Sequence, residues 1–470
     1  MSIQELYQQK RYHECTVACR ELLKTDKRAR DARRLLIRCL EGLGNYSSAL
    51  SECDIAIRLH KDAREKTEYL HLKSVILVRD GRLEDAAQSY EGCLSLDPER
   101  ADTWFLLASC QFELNRFDEC ERSVVQMLKR AEKVPTGTIG HALYLLTQSR
   151  RSLTATALFK RFPQAESTIA APYYHFALAE LHEREKNFAR ALQHFHEGNR
   201  LIQAACGYSI ENDLDAIGFY CSLSSKEVAT PANDSEPIPI FILGMPRTGS
   251  SLLEQMLGSH SGIHPMGELS WLPTAFTQSA SALPEPRNRS QIRAACNEQA
   301  FLESIRQNYL GNLPEISESF FIDKLPGNFL YTGIIPQIFP GALIIHTQRE
   351  KAATIWSCYR TPFVDGQGFS HDLSDASTYY DAVEQATKTA GSTVGEGYIA
   401  VKYEDLISNP AKVLATVLDQ LGLTFEDACL EHTRADRMVS TASRFQVTQP
   451  IYGNANEAWK AYESVVSNHL

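Results

Sequence analysis

The chain changes rhythm near its middle. In the first half one pattern recurs: a basic or amide residue, an aromatic or leucine, two variable positions, then a small residue. It reads Arg11-Tyr12…Cys15, Asn45-Tyr46…Ala49, Arg82-Leu83…Ala86, Arg116-Phe117…Cys120 and Asn187-Phe188…Ala191. Successive copies lie 34, 37, 34 and 71 residues apart, the last gap leaving room for a degenerate copy near Leu153. In the second half the apolar residues come instead as short, nearly unalternating runs: Ile238–Leu243, Phe320–Ile322, Ala342–His346 and Tyr398–Val401. Such runs are too short for helices and suit central strands of a parallel sheet covered on both faces. Each gives way to polar residues, at the strand end where open α/β sheets bind ligands.

The first period is that of the helix–turn–helix units called tetratricopeptide repeats. The small residue lets two helices approach closely, and the aromatic packs into the neighbouring unit. Asp97-Pro98, after Leu96, closes one unit with a helix breaker. The expected organisation is an α-solenoid over residues 1–220, a Ser-, Pro- and acid-rich linker or covering loop over 221–237, and an α/β domain with a parallel sheet over 238–470. An α-solenoid offers a concave surface to an extended peptide or another protein, or serves only as a scaffold packed on the second domain.

The richest chemistry lies after the first apolar run. Gly244-Met245-Pro246-Arg247-Thr248-Gly249 has the glycine frame of a nucleotide phosphate loop and leads into the helical Leu252–Leu257. The first N–H groups of such a helix lack partners and form an anion cradle. Ser250 stands where a nucleoside-triphosphate enzyme carries lysine, and the basic group is Arg247, inside the loop. A phosphorylated ligand other than ATP or GTP is therefore expected, with a kinase as a weaker reading. Four strand ends should converge on one crevice carrying Arg247, Glu268, Lys324, Arg349 and Tyr403. If 350–360 is helical, Arg349 and Ser357 reach a second phosphate, which suits a ligand phosphorylated at both ends. Taken singly, the loop also fits an ordinary βα turn and Arg349 a surface salt bridge; only the combination points to paired anions.

Composition narrows the partners. A net charge of −10 argues against nonspecific binding to nucleic acid or anionic membranes, so any anion site must be a local basic pocket. The N-terminus shows no apolar signal core, and no run reaches the ~18–20 apolar residues of a membrane span. The 12 cysteines include no C-x-x-C pair and no His/Cys cluster at zinc spacing. Reduced thiols, a cytoplasmic location and no metal are the expectation.

The second half resembles the sulfotransferase superfamily that uses 3′-phosphoadenosine-5′-phosphosulfate (PAPS), in particular its tyrosylprotein sulfotransferase branch and bacterial proteins fusing such a domain to tetratricopeptide repeats. The likeness covers about residues 238–465 and rests on six ordered motifs. Pro246-Arg247-Thr248-Gly249-Ser250-Ser251-Leu252 is similar to the loop for the 5′-phosphosulfate. Gly267-Glu268-Leu269 falls where the family carries its catalytic-base glutamate, and Asp323-Lys324-Leu325-Pro326 where a lysine stabilises the transition state. Arg349 and Ser357 keep the spacing for the 3′-phosphate. Val401–Leu406, with Tyr403, is similar to a nucleotide-contacting segment, and Ser443–Tyr452 to the covering loop, Ser443 matching a transition-state serine. The resemblance thus implies sulfuryl transfer from PAPS to a hydroxyl without a metal. Arg247, Thr248, Gly249, Ser250, Ser251, Arg349, Ser357 and Tyr403 would bind the donor, and Glu268, Lys324 and Ser443 would carry the chemistry.

Two positions depart from the family pattern. A basic residue expected just before Trp459 is Ala458, with Lys460 just after it; an arginine expected at 361 is Thr361, with Arg360 one place early. They sustain an alternative, a repeat scaffold with a catalytically weak nucleotide-binding domain. The acceptor is open between tyrosine on a peptide recruited by the repeats, a glycan hydroxyl and a small metabolite, with the acidic balance weighing against acidic peptides. His264 and His346 read as packing or capping residues, Glu404-Asp405 as helix N-terminal charge, and Asp365–Tyr380 as a flexible insertion that lines the acceptor cleft.

Overall fold

The computed structural model describes residues 1–149, 159, 161, 172–230, 236–285, 287–363, 366–431 and 456–470. The degenerate repeat near Leu153 and the 443–452 segment lie outside the described residues. The chain divides into two compact units, Met1–Gly198 and Asn199–Leu470.

The first unit is a succession of antiparallel helices, among them Tyr12–Thr25, Arg30–Gly42, Tyr46–Leu59, Ala63–Arg79, Leu83–Leu96, Ala101–Glu113 and Phe117–Leu128. Every recurring motif opens the second helix of a pair. Its small residues, Cys15, Ala49, Ala86, Cys120 and Ala191, are all fully buried, so a larger side chain there would force the helices apart. The residue just before each motif turns left-handed: Lys10, Gly44, Gly81, Asn115 and Lys186 have φ of 57, 72, 75, 58 and 57°. The motif's first N–H then donates to a carbonyl five residues back, Arg11 to Leu6, Asn45 to Leu40, Arg82 to Leu77, Arg116 to Gln111 and Asn187 to His182. One helix-ending turn, the Schellman arrangement, is thus repeated five times.

The second unit holds a parallel sheet of β1 (Ile238–Gly244), β2 (Ile263–Pro265), β3 (Phe320–Asp323), β4 (Leu343–Gln348) and β5 (Tyr398–Lys402), in the order β2-β3-β1-β4-β5. Central β1 pairs with β3 through Ile240↔Ile322 and with β4 through Ile242↔Ile345. Ile240, Ile242, Ile322 and Ile345 pack with Leu253, Met256, Leu257, Val417 and Leu418 on one face. On the other, the Phe241 ring lies 5.5 Å from Phe339 and 6.1 Å from Tyr309. Burial on both faces explains the unalternating runs of β1, β3 and β4, whereas β5, expected to be central, is an edge strand with Ala400 and Lys402 exposed. Edge strand β2 went unforeseen because it is three residues long and ends in proline.

Residues 373–380, expected in a flexible insertion, begin a 22-residue helix, Leu373–Val394. The Asp372 side chain caps it by accepting from the N–H groups of Ser374 and Asp375. Leu373, Ala376 and Val383 are buried, and Tyr379 stacks on Phe369 with centroids 3.9 Å apart. A capped amphipathic segment with that much burial belongs to the core. All 12 cysteines are free thiols, ten of them buried. Among the described residues no helix is long and apolar enough to cross a membrane.

Candidate functional site

The strand order puts a topological switch point beside β1. From β1 the chain moves to the β3/β2 side, whereas β4 and β5 lie on the other. The carboxyl ends of the strands at such a switch point are where sheets of this kind bind ligands. Gly244 of β1 is paired with Thr347 of β4, so the glycine loop and Arg349 are brought together by register alone.

The loop is built from backbone that L-residues avoid. Gly244, Arg247 and Gly249 have φ of 128, 68 and 91°. A Cβ on Gly244 would lie 2.8 Å from the His346 ring and from the Thr347 carbonyl oxygen; one on Gly249 would lie 2.5 Å from Cδ2 of Tyr403. Arg247 is not a glycine, and its left-handed backbone stores roughly 1–3 kcal/mol that the surroundings must hold. They do so directly. Its carbonyl accepts from Nη1 of Arg349 at 3.0 Å, and its Nε donates to Oγ of Ser357 at 3.0 Å. Thr248 bonds the Met245 carbonyl and Oγ1 of Thr347, each at 2.7 Å. Gly249 then caps the Ser250–Leu257 helix without a capping side chain, and all eight helical residues are buried. Ser250 and Ser251 thus stand at the positive end of a helix dipole.

Arg349 is nearly buried and sits 4.8 Å over the ring of Tyr403. Its Nε donates to Asn456 at 2.7 Å; Asn456 in turn donates to Glu404 at 3.0 Å, and Glu404 also accepts the Glu350 N–H at 3.1 Å. Glu404 therefore ties three segments together, in addition to its place in the first turn of Tyr403–Ser408. Arg247, Thr248, Gly249, Arg349, Ser357 and Tyr403 form one connected cluster.

A second cluster lies at the end of β3. Lys324 is fully buried, and its Nζ is 2.6 Å from Oε1 of Glu268 and 3.8 Å from Oε2 of Glu254. Glu268 is 39% exposed, so this pair opens toward solvent from one side. Glu254 is buried and accepts the Gly267 N–H at 2.8 Å; the Gly267 carbonyl accepts the Lys324 N–H at 2.9 Å. Neighbouring Asp323 accepts from Tyr309 at 2.9 Å and Asn328 at 3.1 Å. Burial pushes its carboxyl up to about 8 against those two bonds.

Glu254 was missed from the sequence, although a lone carboxylate within Leu252–Leu257 is its signal. His264 faces Glu318 at 3.2 Å; buried His346 lies between the Tyr398 hydroxyl at 2.8 Å and Glu384 at 3.2 Å. Thr361 donates to the Ser357 carbonyl, and Lys460 pairs with Glu457 at 2.9 Å. Ser443 lies outside the described residues. No group of metal-ligating side chains occurs among the described residues.

A parallel sheet whose glycine loop carries arginine, with a second arginine at the end of the neighbouring strand, defines an α/β domain. Residues 239–427 match the sulfotransferase family, and residues 77–135 match the tetratricopeptide repeat. The chain joins tetratricopeptide repeats to a sulfotransferase-family domain. It is 30% identical to an uncharacterized protein of Aquifex aeolicus (strain VF5) over 62% of this chain and 40% of that one. It is 25% identical to Protein-tyrosine sulfotransferase 1 of Danio rerio over 44% of this chain and 60% of that one. The chain thus spans less than two thirds of the length of these relatives. The solved sulfotransferase domain from the Synechococcus PCC 7002 olefin synthase is 26% identical over 50% of this chain and 91% of that one, with a TM-score of 0.35. The sulfotransferase domain from the curacin biosynthetic pathway is 20% identical over 49% and 99%, with a TM-score of 0.30. At TM-scores of this size the structural likeness adds nothing to what the sheet and loop show.

Proposed function

We propose that the second unit transfers a sulfuryl group from PAPS to an acceptor hydroxyl, and that the repeats recruit or orient a protein or peptide bearing it. The observation that carries this reading is the meeting of Arg247, Arg349 and Ser357 at a switch point whose loop lacks the nucleotide-enzyme lysine. The donor set fits the co-substrate. The helix N-terminus with Ser250 and Ser251, together with Arg247, would hold the 5′-phosphosulfate; Arg349 and Ser357 would hold the 3′-phosphate, and Tyr403 the nucleotide. Sulfuryl transfer is an in-line displacement that depends on positioning and on stabilising charge at equatorial and leaving oxygens. The acceptor oxygen forms the new S–O bond as the bond to the 5′-phosphate breaks, and adenosine 3′,5′-bisphosphate leaves. Glu268 would take the hydroxyl proton. Lys324 would neutralise charge on the sulfuryl and leaving oxygens, a role the family resemblance extends to Ser443.

The weak-binding scaffold keeps one specific support. Thr361 and Lys460, at or beside the two departing positions, are engaged with Ser357 and Glu457. Calorimetry of adenosine 3′,5′-bisphosphate against ATP with Mg²⁺, followed by labelled sulfate transfer to an acceptor pool, separates the readings. Bisphosphate binding with transfer supports the enzyme; bisphosphate binding without transfer supports the scaffold. Preference for ATP with Mg²⁺ removes both.

A further inference from the structure

Glu254 is a buried carboxylate for which the reaction outlined above has no use. It lies in the second turn of the Ser250–Leu257 helix, with Leu253, Met256 and Leu257 in the core around it. One of its oxygens takes the Gly267 N–H and the other faces Lys324. It therefore touches three elements at once: the phosphate-loop helix, the turn that presents Glu268, and the end of β3 that presents Lys324.

We propose that Glu254 is a positioning residue, the permanent counter-ion that keeps Lys324 charged and in place when Glu268 lets go of it to act as base. This rests on the roles given to Lys324 and Glu268 above. A fully buried ammonium without an opposite charge gives up its proton. Glu268 holds Lys324 at 2.6 Å here, but a base that is to reach an acceptor hydroxyl must leave that contact. Glu254 cannot leave, being anchored to Gly267 and enclosed by the sheet-facing helix. The only other carboxyl beside Lys324 in the described chain is Asp323, which is tied to Tyr309 and Asn328 and keeps its proton to about pH 8. The lysine has one guaranteed counter-charge, and it is Glu254.

The test is Glu254→Gln, which keeps an acceptor for Gly267 and removes the charge. With labelled PAPS and a tyrosine-peptide pool as acceptor, the basic limb of the kcat profile should move down by about 1–3 pH units. Affinity for adenosine 3′,5′-bisphosphate at pH 6 should stay unchanged, and Glu254→Asp should restore the limb. A folded Glu254→Gln protein with its basic limb unmoved would overturn the proposal. A second measurement needs neither turnover nor that variant: lysine ¹⁵Nζ spectra of Glu268→Gln should show Lys324 still charged well above neutral pH. Loss of that charge near neutrality would remove Glu254 from the role. If wild-type protein transfers no sulfuryl group, the proposed function falls, and the ¹⁵Nζ titration still decides whether Glu254 is the counter-ion.

Discussion

Replacing Gly249 by alanine separates backbone strain from a steric wedge inside the proposed anion site. The new Cβ would sit 2.5 Å from Cδ2 and 3.3 Å from Cε2 of Tyr403, at a backbone φ of 91°. Carbon atoms settle at about 3.5–4.0 Å, so the ring must retreat by about 1 Å. The positive φ costs about 1–2 kcal/mol for an L-residue. Moving Tyr403 from beneath Arg349, now 4.8 Å away, forfeits about 0.5–2 kcal/mol of cation–π attraction. A total of about 1.5–4 kcal/mol should lower Tm by several degrees in a unit of this size. Gly422→Ala supplies the control, because its φ is 69° yet nothing lies within 4 Å of the added Cβ. It should show the strain alone, about 1–2 kcal/mol. Thermal and urea unfolding of both variants, with calorimetry of adenosine 3′,5′-bisphosphate, measures the difference. Gly249→Ala should be the less stable and should bind the bisphosphate at least about tenfold more weakly, the equivalent of about 1.4 kcal/mol. Equal stability losses in the two variants, with binding intact in both, would refute the wedge.

Three further outcomes are expected. Asp323 holds its proton to about 8 in the folded protein but near 3.8 when unfolded, so its contribution is fully present below about pH 4 and is lost as pH rises toward 8. Urea titrations at pH 5 and pH 8 should show wild type losing more stability than Asp323→Asn, which lacks the titrating proton; parallel losses would disprove it. Lys10→Gly and Lys186→Gly should each stabilise the first unit by about 0.5–1 kcal/mol, since both lysines occupy left-handed turns that glycine adopts freely, whereas a drop in Tm would mean the lysine side chains matter more. Glu268→Gln should cut turnover about 10²–10⁴-fold while leaving adenosine 3′,5′-bisphosphate affinity intact, and full turnover in that variant would dismiss Glu268 as the base.

The repeats were legible because each repeats one local solution. The small residue and the aromatic mark it in sequence, and both are consequences of close helix packing. The left-handed residue before each motif was harder to see, since glycine, asparagine and lysine all fill it. There the turn is imposed by the hydrogen bond from the following N–H rather than by residue type, and the lysines accept strain to make it. The sheet was legible for a related reason: burial on both faces removes alternation in β1, β3 and β4, and β5 carries a similar apolar run although it is a partly exposed edge strand. The Leu373–Val394 helix was hidden behind the polar stretch Gly366–Asp375, whose Asp372 is a cap and whose Phe369 is a core residue.

The site divides along the same line. Arg349 and Ser357 could be related from sequence because strand-to-helix spacing fixes their relation, while Arg247 joins them through the adjacency of β1 and β4, where Gly244 is level with Thr347. Glu254 could not be placed this way. Its partners, Gly267 and Lys324, are 13 and 70 residues away along elements whose pairing only the fold supplies. Yet the sequence carried a physical objection to ignoring it. A carboxylate in an otherwise apolar and amide run must either face water or find a cation, because desolvating it alone costs several kcal/mol. The helix is buried on every side, which leaves the cation. Lys324, equally buried at the end of β3, poses the converse requirement, and the two charges face each other at 3.8 Å. Two isolated charges in two buried segments are thus a statement about tertiary contact, once the fold shows that both segments are buried.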